Sequence, residues 1–411
     1  MKVYKFGGAS IKDAQAIKNI CQILKAEQEN NIVIVLSAMG KTTNGLEAVV
    51  NQHFGKEPTS LEQVKSYHLQ IAHDLFSPAH PIFDDINNLF VEIEWVLEDS
   101  PSTNYDYEYD QIVSVGELLS TKIVSAYLSQ EELKNQWLDA RDLIQTNNTY
   151  RNARINWEST VNNIQQKVSS QGICLTQGFI GCTSENFSTT LGREGSDFSA
   201  AILGYALDAE SVTIWKDVDG MLNADPRFFE DAVLIEQLPY SEAIELAYYG
   251  AKVVHPKTIQ PLKEKNIPLY IKSFLNPQHK GTLISDNTEL KPFIPSFIIK
   301  ENQILLSISA RDLSFIVEDH LSHIFSVLST VGISVNLMQN SAVSFSICAD
   351  DDKLKIPSLV NELKRQYNVT YFEALTLCTI RHYSPDDIQR IIREKTVLLE
   401  QKTSHVVQFV Y

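Results

Sequence analysis

The most constraining feature of the chain is a change of hydrophobic period between its first residues and Leu36. Residues 3–6 read as a short strand and Gly7-Gly8 as a turn. Ser10 reads as a cap before Ile11, Ala14, Ile17, Cys21 and Leu24, which are apolar at helical spacing. The run Ile32-Val33-Ile34-Val35-Leu36 follows without a polar break. A continuous β-branched stretch is expected of a strand buried on both faces of a parallel sheet. The alternation recurs, with strands predicted at 173–180, 211–215 and 267–271 and helices at 197–207 and 240–249, which makes the architecture α/β. Residues 59–98 lack comparable strands and are predicted to be a helical insertion over the sheet. The acidic stretch after it (Glu98, Asp99, Asp106, Glu108, Asp110) reads as a solvated surface loop rather than a metal site.

Length decides how many cores to expect. At roughly 150 residues per domain, 411 residues imply two or three domains. A first domain is predicted over 1–290, with a boundary near Pro292 and Pro295. Beyond it the order strand (304–309), helix (321–330), strand (333–338), strand (342–348), helix (356–367), strand is a ferredoxin-like βαββαβ unit, placed at 298–372. Residues 373–411 read as a second, truncated copy.

Charge and cysteine usage narrow the partners. Lys+Arg 35 against Asp+Glu 51 leaves a net charge of −16, which repels a phosphate backbone, so neither nucleic acid nor an anionic membrane is an expected partner. A local basic pocket remains compatible with that balance. The start MKVYKFGG has no apolar stretch of signal-peptide length, and the five cysteines are odd in number without a CxxC pair. Free thiols and a cytoplasmic location are expected. His68 and His73 are five apart, not at the spacing of a helical zinc site, so no protein-ligated metal is expected.

Three segments carry candidate chemistry. Lys5-Phe6-Gly7-Gly8 places an ammonium and close-approach backbone N–H groups at a strand end, suited to phosphate oxygens, although Gly-Gly after a strand also serves as a plain turn. In Gly192-Arg193-Glu194-Gly195-Ser196-Asp197, directly before a helix, the arginine fork suits a carboxylate. Ser196 or Asp197 equally suits a helix cap. The stretch Lys216-Asp217-Val218-Asp219-Gly220 through Ala224-Asp225-Pro226-Arg227 has turn chemistry, yet it follows a strand at the sheet edge where ligands bind. Arg227 and Lys252 add positive charge there.

Taken together, KFGGAS, SAMGKTTN (37–44), VGELLST (115–121), TQGFIG (176–181), TTLGREGSD (189–197), KDVDG with ADPR, and GAKVVHP (250–256) occur in register. They make the chain resemble the monofunctional aspartate kinases, whose C-terminal ACT domains have the ferredoxin-like order. The resemblance implies an amino-acid-kinase fold, a largely parallel sheet between helices with C-terminal ACT domains. It also implies ATP-dependent phosphorylation of the β-carboxylate of L-aspartate, with Mg²⁺ carried on ATP. Lys5 and Asp197 would be catalytic. Lys5, Gly7, Gly8, Lys216, Asp217, Leu222, Arg227 and Lys252 would bind ATP. Thr43, Glu117, Arg193, Gly195 and Ser196 would hold aspartate, Glu117 on its ammonium and Arg193 on its α-carboxylate.

The sequence also departs from the family pattern. Ala9 stands where Thr is usual, Glu194 where Gly is usual, Lys216 where Thr is frequent and Leu222 where an aromatic is frequent. Ser334, Asn336 and Ser341 match the ACT region that binds an amino-acid effector. Asn336 and Ala342 stand where lysine-sensitive members present acids, so weak lysine inhibition, or sensing of another amino acid such as threonine, is expected. A homodimer through ACT sheet edges is implied. An acetylglutamate or glutamate kinase and a catalytically silent amino-acid sensor are the alternatives. A fused homoserine dehydrogenase has no room in 411 residues.

Overall fold

The β-branched run near the N-terminus forms the strand Asn31–Leu36, buried from Ile32 onward, in the interior of an eight-stranded sheet. The computed structural model of the protein describes residues 1–27, 31–251, 254–286, 288–312 and 314–411. It divides into two compact units. The first comprises Met1–Met221, Leu234–Ala247 and Lys252–Pro292, and the second Leu222–Val233, Tyr248–Ala251 and Phe293–Tyr411.

In the first unit the strand order is Gln237–Leu238, Thr282–Ile284, Leu269–Ser273, Ser211–Lys216, Lys2–Phe6, Asn31–Leu36, Gly172–Gln177, Asn135–Trp137. Neighbours from Leu269–Ser273 to Asn135–Trp137 are parallel, and Thr282–Ile284 runs antiparallel to Leu269–Ser273. This is the largely parallel sheet that the uninterrupted apolar strands predict.

Side-chain alternation along these strands decides what faces where. Phe6 lies opposite Trp215 in the register and the two rings stack at 5.7 Å, with Tyr4 edge-on to the same indole at 5.9 Å. Lys5 therefore points to the other face. So does Lys216, two residues beyond Ile214, which is Lys5's register partner. On that face lies the helix Gly195–Ala206, whose Asp197 pairs with both lysines.

The predicted helical insertion contains Leu61–Leu75 and Ile82–Glu98. The acidic stretch after it corrects the sequence reading. Residues Tyr105–Val113 are a helix, started by the Asn104 side chain accepting from Tyr107 N–H, and both Glu108 and Asp110 are buried. Tyr109, Ile112 and Val113 pull this helix into the core, and Asp110 is tolerated inside because backbone and hydroxyl donors meet its carboxylate. By length and hydropathy Tyr105–Gln130 could cross a bilayer, but 78% of its most apolar window is buried, and it is a core element of this unit.

In the second unit the sheet order is Val335–Asn340, Ser344–Asp350, Ser296–Ala310, Tyr367–Arg381, Val406–Val410, Leu399–Lys402, all antiparallel. The helices Glu318–Val331 and Lys355–Leu363 complete a βαββαβ order. Tyr367–Arg381 is one strand running through residues 372 and 373. Its later part pairs with Ser296–Lys300, on the N-terminal side of the register shift at 300–305. The copy that looks truncated in sequence thus lies beside a strand contributed from before the first copy.

Ile34 is fully buried in the parallel sheet. Ile34→Ala is expected to cost about 3–4 kcal/mol, read as a lower urea midpoint at unchanged slope. Trp95→Ala on the exposed helix face should stay within about 0.5 kcal/mol. Equal losses at the two positions would contradict this placement of the core.

Candidate active site

The carboxyl ends of the parallel strands and the start of helix Gly195–Ala206 enclose a cavity of about 480 Å³. Strand-end loops build its floor. Gly8 is needed there, because a Cβ would sit 2.7 Å from Ala38 O and 3.0 Å from Gly40 O. Gly40 N–H donates to Gly8 O at 3.1 Å, so the loops after Lys2–Phe6 and Asn31–Leu36 lock together. Gly178 plays the corresponding part for the helix. A Cβ on it would meet Ser196 Cβ at 2.6 Å, so only glycine lets the helix start approach the end of Gly172–Gln177 this closely.

Lys5 Nζ lies 2.6 Å from Asp197 Oδ1 and Lys216 Nζ 3.3 Å from Asp197 Oδ2, with Lys5 and Asp197 buried. Burial pushes the Asp197 carboxyl toward protonation, but Lys5, and after it Lys216, more than offset this and hold it below the usual carboxylate range. The triad therefore carries a net positive charge inside the cavity. Glu117 supplies a buried acid. It stands in the first turn of Val115–Gln130, and its Oε1 accepts from Ala38 N–H at 3.3 Å. Its Oε2 is buried without a hydrogen-bond partner. Burial raises its carboxyl to about 8. A buried acid of this kind stays protonated while alone and ionises when a cation comes to lie beside it.

Arg193 lines the same cavity and pairs with no side chain among the described residues. Thr43, Gly195 and Ser196 also line it, so every residue predicted to hold the substrate is brought together. Of the predicted nucleotide residues, Lys5, Gly8 and Lys216 line the cavity. Gly7 adjoins it, since a Cβ there would lie 3.4 Å from Lys5 Nζ. Asp217 is exposed at the strand end. Leu222 and Arg227 belong to the second unit, where Arg227 forks onto Asp225 at 2.6–3.1 Å. Lys252 lies outside the described residues.

Sequence reasoning missed Asp110, Arg151, Tyr109, Phe179 and Thr190. Asp110 accepts from Thr190 N–H at 2.8 Å, Thr190 Oγ1 at 2.7 Å and Arg151 N–H at 3.0 Å. It thereby joins two cavity-lining segments. Burial lifts its carboxyl to about 6 against those hydrogen bonds. Arg151 lies over the Tyr109 ring at 4.4 Å and pairs with Glu47 at 3.3 Å. The available signal was an acid inside the helical spacing of Tyr105, Tyr109, Ile112 and Val113.

His68 is buried with Nδ1 on Val64 O at 2.8 Å and Nε2 against Thr42 Oγ1 at 3.3 Å, and burial lowers it to about 4. Among the described residues no group of three or more His, Cys, Asp or Glu is placed to hold a metal ion. All five cysteines are buried free thiols. In the second unit, Asn336 Oδ1 accepts from Lys300 Nζ at 2.8 Å. Its Nδ2 donates to Gln303 Oε1 at 2.8 Å and Asp350 Oδ1 at 2.9 Å. Ser341 Oγ closes a turn on Ser344, and Ser334 is exposed.

Comparison with known proteins gives the lineage. The amino acid kinase family model matches residues 1–273. The chain is 32% identical over 392 residues to lysine-sensitive aspartokinase 3 of Escherichia coli, covering 92% of this chain and 86% of that protein. It is 33% identical over 378 residues to the chloroplastic aspartokinase 1 of Arabidopsis thaliana, covering 88% of this chain and 65% of the relative's length. Crystal structures of E. coli aspartokinase III superpose over 100% of this chain and 96% of theirs at 29% identity. The TM-score is 0.85 for the R-state with aspartate and ADP and 0.83 for the T-state with lysine and aspartate. With strands, cavity and relatives in agreement, the chain belongs to the amino acid kinase family, among the aspartokinases.

Proposed function

We propose that the protein transfers the γ-phosphoryl group of ATP to the β-carboxylate of L-aspartate, giving 4-phospho-L-aspartate and ADP. The observation that carries this reading is one cavity holding the unpaired buried carboxylate of Glu117, the unpaired guanidinium of Arg193 and the net-positive Lys5–Asp197–Lys216 triad. A zwitterion with a second carboxylate complements that set. Glu117 takes its ammonium and Arg193 its α-carboxylate, while Thr43, Gly195 and Ser196 fix its orientation, leaving the β-carboxylate to attack.

A carboxylate is already ionised at neutral pH, so the chain needs no strong base. A β-carboxylate oxygen forms a bond to the γ-phosphorus as the bond to the β,γ-bridging oxygen breaks, and the electron pair leaves with ADP. Lys5 and Lys216 neutralise charge on the transferring group, and Asp197 holds both ammonium groups in place. Gly7 and Gly8 let backbone N–H groups reach phosphate oxygens. Asp217, Leu222, Arg227 and Lys252 belong to this reading as nucleotide residues on the strength of the family resemblance. Mg²⁺ travels on the phosphates. Glu194 lines the cavity with Oε2 buried and unpartnered, one carboxylate oxygen that fits an ion held mainly by phosphate.

An acetylglutamate kinase is disfavoured because an acetylated amine is uncharged and leaves Glu117 unpaired. The intact Lys5–Asp197 pair speaks against a silent sensor. The second unit fits amino-acid feedback through ACT-like halves at 298–372 and 373–411, with Ser334, Asn336 and Ser341 as effector residues. A homodimer through sheet edges and a cytoplasmic location complete the reading. Since Asn336 already gives its amide to Lys300, Gln303 and Asp350, lysine at millimolar concentration is expected to inhibit weakly, with threonine the next effector to titrate. Strong inhibition by lysine alone would sink that expectation.

ADP release coupled to a reporter should depend on L-aspartate, and Lys5→Met should lower kcat by about 10³-fold, the scale of one lost electrostatic stabiliser. Turnover with L-glutamate and none with L-aspartate would overturn the assignment. Glu117 and Asp110 also set a pH dependence. Both have folded-state values above their ordinary ones, so the fold binds protons that the unfolded chain has released. Stability of the ligand-free protein must then fall as pH rises, from about 4 to about 6 through Asp110 and on to about 8 through Glu117. Glu117→Gln should raise stability at pH 8 by on the order of 4 kcal/mol, with a much smaller gain at pH 5, while raising KM for L-aspartate. A variant less stable than the parent at pH 8 would contradict it.

A further inference from the structure

The C-terminal unit holds a cavity of about 410 Å³ that takes no part in the chemistry above. Its apolar walls include Phe229, Ile391 and Tyr411, and its charged lining includes Arg390, Lys395 and Glu301. The two cations differ in state. Arg390 forks onto Asp231 at 2.7 and 3.0 Å and lies over the Phe229 ring at 5.2 Å, so its charge is already matched. Lys395 Nζ sits 3.7 Å from the centroid of the Tyr411 ring. It makes no ion pair with any carboxylate among the described residues. Partial desolvation draws its ammonium below the usual lysine value, with the buried thiol of Cys378 the one opposing influence. A ring face attracts an ammonium by about 0.5–2 kcal/mol, but it supplies no negative charge. A cavity that sets apolar side chains beside polar ones and one cation unmatched among the described residues has the make-up of a small-molecule site in which polar groups fix orientation.

We propose that this cavity is a second small-molecule site, for a carboxylate-bearing molecule with an apolar body. The carboxylate rests on Lys395 and the body packs against Phe229, Ile391 and Tyr411. Glu301 decides between two sources of that chemistry. An amino acid brings an ammonium for Glu301 to meet, whereas a simple carboxylic acid does not.

The test uses the full chain and direct binding, so its outcome does not depend on whether the kinase assignment holds. L-phenylalanine, L-leucine, 3-phenylpropionate and 4-methylpentanoate are titrated by calorimetry and by ligand-induced rise in melting temperature. At least one is expected to bind at millimolar concentration or better. Lys395→Gln should weaken it by about fivefold, the loss of roughly one ion-pair contact at a solvent-accessible ammonium. Lys395→Arg, which keeps the charge, should retain binding and so separates a charge contact from a packing effect. Dependence on Glu301→Gln marks the amino acid as the occupant, and binding unaffected by Glu301→Gln marks the simple carboxylate. No binding by any of the four, or unchanged binding in Lys395→Gln, overturns the proposal.

Discussion

A carboxylate buried between two ammonium groups is the interaction on which the first unit's site depends. Asp197 gives up hydration that burial alone would charge heavily against its ionised form, and Lys5 at 2.6 Å with Lys216 at 3.3 Å keeps it ionised. Two positive charges on one negative leave a surplus, and that surplus is what a transferring phosphoryl group requires. Several local features exist to hold this geometry. Strand parity sends Lys5 and Lys216 to one face while Phe6 and Trp215 stack on the other. Gly178 lets the start of helix Gly195–Ala206 come close enough to deliver Asp197. A single methyl at 178 would displace Ser196, and with it the helix turn that carries the aspartate.

The polar lining of the cavity is left incomplete in a directed way. Among the described residues Glu117 is buried without a cation and Arg193 stands without an anion. The buried Glu117 costs stability in the ligand-free protein, and each of the two groups is complemented by one group of an amino-acid zwitterion. Ligand selectivity of this kind comes from leaving partners unpaired rather than from shape alone. It also explains how a chain with net charge −16 can handle polyanions. The acid excess is dispersed over the whole molecule, while the cations Lys5, Lys216 and Arg193 are concentrated around one cavity.

How much of this was legible in the sequence varies with the length scale of the determinant. The parallel sheet was legible because uninterrupted β-branched runs leave few other solutions. The cavity-lining residues Thr43, Glu117, Arg193, Gly195 and Ser196 were legible because they lie in short contiguous segments at strand ends and at a helix start. Asp110 and Glu108 were not, since acidic residues in a tyrosine-rich stretch look solvated. Only the fold reveals that Thr190 and Arg151, distant in sequence, supply the donors that let Asp110 be buried. The completion of the second ferredoxin-like half was hidden for the same reason. Its neighbour strand Ser296–Lys300 precedes the first half, so reading the chain in order finds a deficit where the sheet has none.

The C-terminal unit holds two places where polar groups differ in how fully the protein satisfies them. The amide of Asn336 is engaged by Lys300, Gln303 and Asp350. Lys300 already brings an ammonium to this residue, donated from within the protein. A second cation arriving there would meet that ammonium beside the Asp350 carboxylate, with the Asn336 acceptor already in use. Around Lys395 the balance is the reverse, with a cation over an aromatic face and no carboxylate paired to it among the described residues. Where the protein satisfies its own polar groups a ligand gains little, and where it leaves one unmatched beside an apolar wall a ligand gains both charge pairing and burial. By that criterion the Lys395 cavity has more to offer an incoming ligand than the cluster around Asn336.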